Sequence, residues 1–366
     1  MAKRVGGDKW LFFATLLLVG VGLAMVFSAS AVVAQEKYHS EFAFAGKQAA
    51  WALAGLLALM VLSRIDYNVY KSPRFIYPAL STTTFLLALV FFMPGSHNTH
   101  RWIRFGGLFT LQPSELAKPV LVLFLAWFLS TRLEKLNEWR VLLRALLIPL
   151  VFILLIVAEP DLGTALVLAG VTALIFFLAG IRWKYLIGGV CVALPFLAVL
   201  LIWVPWRWQR ILTFLHPNCD AKEIPAASYH VCQSLIAVGA GGVTGRGYME
   251  GLQKLFFLPE AHTDFIYANI AEELGLIGSV VILLLFAGFG YRGLRTAFRV
   301  QDNFARLVAF GITTMILVQA FFNISVVLAL LPTKGIPLPL ISSGGTSVCV
   351  TLASIGVLLN ISRKAD

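Results

Sequence analysis

The sequence predicts an all-α, polytopic membrane protein with about ten transmembrane helices, both termini cytoplasmic, and one large outer loop between spans 7 and 8. Three observations predict it. Of the 366 residues, 59% are apolar and only 13% charged, where a soluble chain carries about a quarter charged. Apolar runs long enough to cross a bilayer recur along the chain, and they exceed the roughly ten residues of a barrel strand. With the amino terminus inside, 18 of the 29 Lys and Arg fall in short cytoplasmic segments and 9 outside, with Lys47 and Lys118 left within spans. That is the positive-inside bias. The net charge of +11 therefore reflects topology; the basic residues form no single stripe, and no nucleic-acid partner is expected.

The spans are placed at about 10–34, 44–63, 75–93, 113–130, 141–158, 162–180, 185–204, 265–290, 305–331 and 346–362, and the chain is expected to form a single membrane domain over 1–366. Lys3 and Arg4 precede an apolar run ending in "SASAVVAQ", which resembles a secretion signal. Its apolar core is longer than the usual roughly 7–15 residues, and its removal would invert the charge bias, so it is read as an uncleaved first span. In "LQPSELAKPV" (111–120), Glu115 and Lys118 stand three apart on one helix face. They read either as a mutually neutralised structural pair or as the charged lining of an outward cavity. Spans 5 and 6 meet at the tight outer turn "AEPDLGT" (158–164). There Asp161 can cap the next helix or serve a polar cavity.

After span 7 about sixty residues, 205–263, lie outside. They open with "WVPWRWQR", whose tryptophans suit an interfacial belt. They continue through the partly apolar "SYHVCQSLIAVGAGG", which could dip back toward the membrane, to the glycine-rich "GAGGVTGRG". The loop is expected to be flexible and functional. No phosphate-loop spacing is present, and the glycines read as tight turns. Cys219 and Cys232 both fall in this loop, paired or as free thiols, while Cys191 and Cys349 lie in spans as packing residues. All six histidines fall in outer segments; His97 and His100 lack an adjacent carboxylate to complete a metal site. A divalent cation could assist the chemistry considered below, but no ligand cluster in the sequence demonstrates one.

Ionisable groups at the start of span 8 are the sharper signal, since each costs roughly 2.5–3.5 kcal/mol at a helix centre. "AHTDFIYANIAEELG" (261–275) carries His262, Asp264, Asn269, Glu272 and Glu273. With Asp264 as origin, Glu272 lies near 80° and Glu273 near 180° around the helix. The glutamates therefore read as helix–helix contacts with Asn269 in reach of either. Asp264 stands apart at the aqueous mouth beside His262, as an N-cap or as a general base.

Six separated motifs carry a resemblance: "RWI" (101–103), "QPSELAK" (112–118), "EPDLGT" (159–164), "YHVCQSLIAVGAGGVTGRG" (229–247), "LPEAHTDFIYANIAEELG" (258–275) and "LPLISSGGTS" (338–347). Together they resemble the SEDS family of cell-wall polymerases, which includes FtsW and RodA, over nearly the whole chain and in the family's order. "LPTKG" (331–335) is more similar to the division branch than to the elongation branch. The resemblance implies polymerisation of lipid II into peptidoglycan glycan strands at the outer face of the cytoplasmic membrane, with a class B penicillin-binding protein as partner.

It also places the family's essential aspartate on Asp264, its cavity pair on Glu115 and Lys118, and a further carboxylate on Asp161. Arg101, His262, Ser342, Gly344 and Gly345 lie in the same motifs, and Arg210, at the end of "WVPWRWQR", is a further candidate on the outer side. Two positions depart from the family pattern: Glu159 stands where Gln is usual, and Ser343 where an aromatic is usual.

The implied chemistry is an inverting glycosyl transfer. A sugar 4-hydroxyl is a weak nucleophile and needs a carboxylate to take its proton. A pyrophosphate leaving group needs positive charge instead of an acid; the candidates on the outer side are Arg101, Arg104, Lys118, Arg207, Arg210, Arg246 and Lys334. The rival expectation is a transporter that flips a lipid-linked cell-wall precursor. A carrier would gather its charges near the midplane, whereas here they gather at the outer boundary.

Overall fold

A computed structural model of the chain describes residues 7–93, 101–105, 109–217, 219, 226–255 and 257–365. His97 and His100 lie outside the described residues. Among the described residues nine helices are long and apolar enough to cross a membrane. They are α1 (Lys9–Tyr38), α2 (Ala43–Leu62), α3 (Pro73–Leu89), α4 (Pro113–Ser130), α5 (Trp139–Ala158), α7 (Trp183–Ile202), α10 (Ile266–Arg299), α11 (Asn303–Val327) and α12 (Gly345–Ser362). The tenth predicted span is α6 (Leu162–Leu178), of 17 residues, capped at its start by Asp161. Proline at the first helical turn starts α3 and α4, where its missing N–H is no loss.

Helices α4, α11 and α12 form the centre, with most of their residues buried. α11 packs against α4, α6 and α10, and α12 lies along α2. α7 sits at the periphery and buries none of its residues. A short antiparallel ribbon, β1 (Ile103–Phe105) and β2 (Phe109–Leu111), precedes α4 with Ile103 opposite Leu111.

Among its described residues the segment between α7 and α10 is folded, as a loop of its length allows, although a flexible one was expected. It contains α8 (Pro205–Leu215) and α9 (Ala226–Gly241). α9 packs on α10, burying Val231, Cys232 and Ala237, and a disulfide joins Cys232 to Cys219.

The glycine-rich run has a specific partner. α10 is interrupted at Gly275, whose φ is +66°, so carbonyls and N–H groups near the break lose their helical partners. Residues 242–247 replace them. Arg246 and Gly247 donate their N–H groups to the Glu272 and Glu273 carbonyls at 3.0 Å each, and Leu276 and Ile277 donate to the Gly242 and Val243 carbonyls at 2.9 and 3.2 Å. Such backbone approach leaves no room for a side chain: a Cβ on Gly245 would meet the Glu273 oxygen at 2.1 Å.

Candidate active site

Four short segments converge at one end of the bundle: 262–265 before α10, 334–344 before α12, the 159–161 turn, and Arg101 beside the ribbon. Hydrogen bonds hold the first two together. Ser342 Oγ donates to the Thr263 carbonyl at 2.5 Å and accepts from Leu338 N at 2.8 Å; Ser343 N donates to the His262 carbonyl at 2.9 Å. From α11, Asn323 Nδ2 donates to both the Asp264 and Ile336 carbonyls at 2.7 Å. The backbone carrying Asp264 is thus fixed from two sides.

Asp264 is half-buried, and its carboxylate rests against Gly335, where a Cβ would lie 2.5 Å from Oδ2. Burial, aided by the nearby carboxylates of Glu260 and Asp161, raises its pKa to about 7, with Arg101 and Arg210 pulling the other way. A carboxylate at that value is matched to proton transfer near neutrality.

The positive charges around it come from separate elements. Arg101 reaches the 159–161 turn, its guanidinium donating to the Glu159 carbonyl at 3.1 Å and to the Pro160 carbonyl. Arg207 and Arg210 come from α8, with both guanidinium groups about the Trp206 ring at 5.2 and 5.0 Å from its centroid. Lys334 is lowered to about 8 by burial first and then by Arg207, while Asp161 works in the opposite direction. Arg207 and Lys334 accordingly join Arg101 and Arg210 in one electrostatic neighbourhood. Their charges and the Asp161 and Asp264 carboxylates act on one another.

Other predicted residues take other places. Asp161 is buried as the α6 cap, accepting from Thr164 N at 3.2 Å and Thr164 Oγ1 at 2.9 Å. Glu115 and Lys118 form a buried ion pair at 2.8 Å. Lys118 also donates to Gln319 Oε1 at 2.5 Å, and Gln319 Nε2 donates to the Pro337 carbonyl at 2.9 Å. The pair thereby braces the 334–344 segment from below. The His262 ring packs on Phe44 at 5.0 Å, and burial lowers its pKa, leaving it neutral near pH 7. Gly344 N donates to Gln48 Oε1 at 3.2 Å, and Gly345 faces the Trp51 indole too closely for any Cβ. Ser342, Gly344 and Gly345 are joints in the scaffold beneath Asp264.

Of the two glutamates of α10, Glu273 makes the expected helix–helix contact, to Ser28 of α1, and both also hold a segment outside the helices. Glu272 accepts from Leu252 N at 2.9 Å and Gln253 N at 3.1 Å. Glu273 accepts from Met249 N at 3.0 Å, Ser28 Oγ at 2.6 Å and Lys254 Nζ at 2.6 Å. They anchor the outer segment to α10. The Asn269 amide bonds neither; among the described residues its side-chain nitrogen and oxygen have no hydrogen-bond partner. Arg246 approaches Glu272 at 3.9 Å, which draws it away from the Asp264 cluster.

Asn323 and Gly335 are the site residues that sequence reasoning missed. Gln319 and Asn323, two amides one helical turn apart in an apolar span, were the available signal.

Residues 9–366 match the FTSW_RODA_SPOVE family, described as cell cycle protein. The chain belongs to the FtsW/RodA family. Among its relatives is "Probable peptidoglycan glycosyltransferase FtsW" of Geobacter metallireducens, 43% identical over 98% of this chain and 95% of that one. Two solved structures share the fold. One, reported under "Structural coordination of polymerization and crosslinking by a peptidoglycan synthase complex", is 28% identical with a TM-score of 0.79 over 98% of both chains. The other is the rod shape determining protein RodA of Thermus thermophilus, 27% identical with a TM-score of 0.70 over 98% of this chain and 97% of that one. Like other members of the FtsW/RodA family, the chain is an integral membrane protein.

Proposed function

We propose that this protein is a peptidoglycan glycosyltransferase that polymerises lipid II at the outer face of the cytoplasmic membrane. The observation that carries the reading is a half-buried aspartate seated against Gly335 in a neighbourhood of four cationic side chains. The names of the relatives support the reaction class. Asp264 takes the proton of an acceptor 4-hydroxyl as that oxygen bonds to the anomeric carbon of the lipid-linked donor. The carbon's bond to pyrophosphate oxygen breaks on the opposite face, and undecaprenyl diphosphate departs with the bonding electrons. Arg101, Arg207, Arg210 and Lys334 supply the charge that stabilises it.

The division branch is favoured by the FtsW name of the 43% identical relative and by the "LPTKG" segment, whose Gly335 lies against the base. A class B penicillin-binding protein is the partner proposed, in keeping with a structural relative whose title pairs polymerization with crosslinking.

The test uses the purified chain, its penicillin-binding partner and labelled lipid II. Polymer is expected from the wild type and none from Asp264→Asn, with an unchanged melting temperature. Polymer from Asp264→Asn would remove the assignment, and lipid II translocation without polymer would favour the transporter.

A further inference from the structure

A second concavity lies far from Asp264, between α3, α4 and α5. It is a groove of about 590 Å³, within the size range of small-molecule sites. Its apolar wall is built from Leu80, Phe85, Ala88, Phe124, Phe128 and Ile148. The chain positions of its Tyr77, Arg132 and Arg144 lining fall next to Arg74, Lys135 and Arg140, at the end that is cytoplasmic under the positive-inside rule. Arg132 and Arg144 are its two lining arginines.

Neither arginine has a carboxylate partner among the described residues, whereas Arg292, Lys71 and Lys364 at the same end are all ion-paired. Arg132 is held in place from behind. Its guanidinium lies 4.2 Å from the Phe128 ring centroid, and its Nη1 donates to the Phe128 carbonyl at 3.2 Å and to Thr131 Oγ1 at 2.8 Å. The remaining guanidinium donors suit a phosphate. Tyr77 and Ser81 line the same groove one helical turn apart on α3. From Tyr77 to Ala88 that helix rises about 16 Å, the reach of a fatty acyl chain.

We propose that this groove binds an anionic glycerophospholipid of the cytoplasmic leaflet. The headgroup phosphate rests against Arg132 and Arg144, the ester oxygens lie beside the Tyr77 and Ser81 hydroxyls, and one acyl chain runs along the Phe85–Phe124 wall. Charge complementarity selects this occupant over a zwitterionic lipid. The hydroxyls at ester depth select it over an isoprenyl phosphate, which carries no ester.

Trp127 lines the groove and serves as the reporter. The full chain is reconstituted in nanodiscs containing phosphatidylglycerol or phosphatidylcholine with brominated acyl chains, at equal mole fraction. Quenching by Trp127 is isolated by subtracting the signal of a Trp127→Phe variant. Phosphatidylglycerol is expected to quench Trp127 more than phosphatidylcholine does, and each arginine to contribute roughly fivefold to that preference. The excess is expected to shrink with salt and to vanish in Arg132→Gln/Arg144→Gln. Thr84→Phe, which fills the groove and spares both arginines, is expected to reduce quenching by both lipids. Equal quenching by the two lipids, an excess that survives the double substitution, or its displacement by undecaprenyl phosphate would each overturn the proposal.

Discussion

At the scale of single residues, the position of one oxygen pair matters most. Asp264 Oδ2 sits where a Gly335 Cβ would be, so Gly335→Ala must push the carboxylate aside. The obstructing atom ends a side chain and is not backbone, so the fold can absorb the change. Polymerisation is expected to fall roughly 100-fold, as for a misplacement of about 1 Å, with little change in melting temperature.

Glu159 makes a different prediction. It is fully buried, and among the described residues both its carboxyl oxygens lack a hydrogen-bond partner. Burial, then the charge of Asp161, raises it from 4.5 to about 8 against the pull of Arg101. The folded state then holds a proton that the unfolded state releases, so stability falls as pH rises from about 4.5 to about 8. Glu159→Gln removes that dependence: its melting temperature should match the wild type at low pH and exceed it by a few degrees at alkaline pH. A flat wild-type profile would contradict this.

Among the elements, α10 shows what was legible in the sequence and what was not. Its existence and its apolar body follow from hydropathy. The break at Gly275 does not, because a lone glycine in a helical pattern is compatible with continuation. The partner of the break lies some thirty residues earlier, and no local rule connects them. The helical angles correctly separated Glu272 and Glu273 from Asp264, but they could not reveal that backbone N–H groups of the outer segment would satisfy them. The Glu115–Lys118 pairing was legible as a three-residue spacing; its link through Gln319 to Pro337 was not, since it joins two distant helices and a loop.

The junction itself can be tested. Gly245 has φ +81° and no space for a Cβ, whereas Gly239 lies in α9 with nothing near. Gly245→Ala should destabilise the protein well beyond the ~1 kcal/mol of an average substitution, and Gly239→Ala should not. Thermal unfolding of the two variants is the measurement.

For the whole molecule, the proposed reaction depends on a field assembled from α8, the 159–161 turn, the ribbon and the segment before α12. The field holds Asp264 near the point where half of the molecules carry the proton at pH 7. As the proposed base, Asp264 works only when ionised, so kcat/KM for polymerisation should rise with pH along an acid limb with an apparent pKa of about 7. Arg101→Gln or Arg210→Gln removes a charge that lowers that value, so the limb should move to higher pH. Movement to lower pH would contradict the assignment.

The anchoring of Glu272 and Glu273 bears on how the chain is made. Their partners, Ser28 and the stretch from Met249 to Lys254, all precede them in translation and have left the ribosome before α10 emerges. The two acids therefore meet waiting donors as they enter the bilayer. The supports of Asp264, from Asn323 to Ser343, are synthesised last. A nascent protein consequently has the partners of Glu272 and Glu273 in place before it has the supports of Asp264, which come only with its final helices.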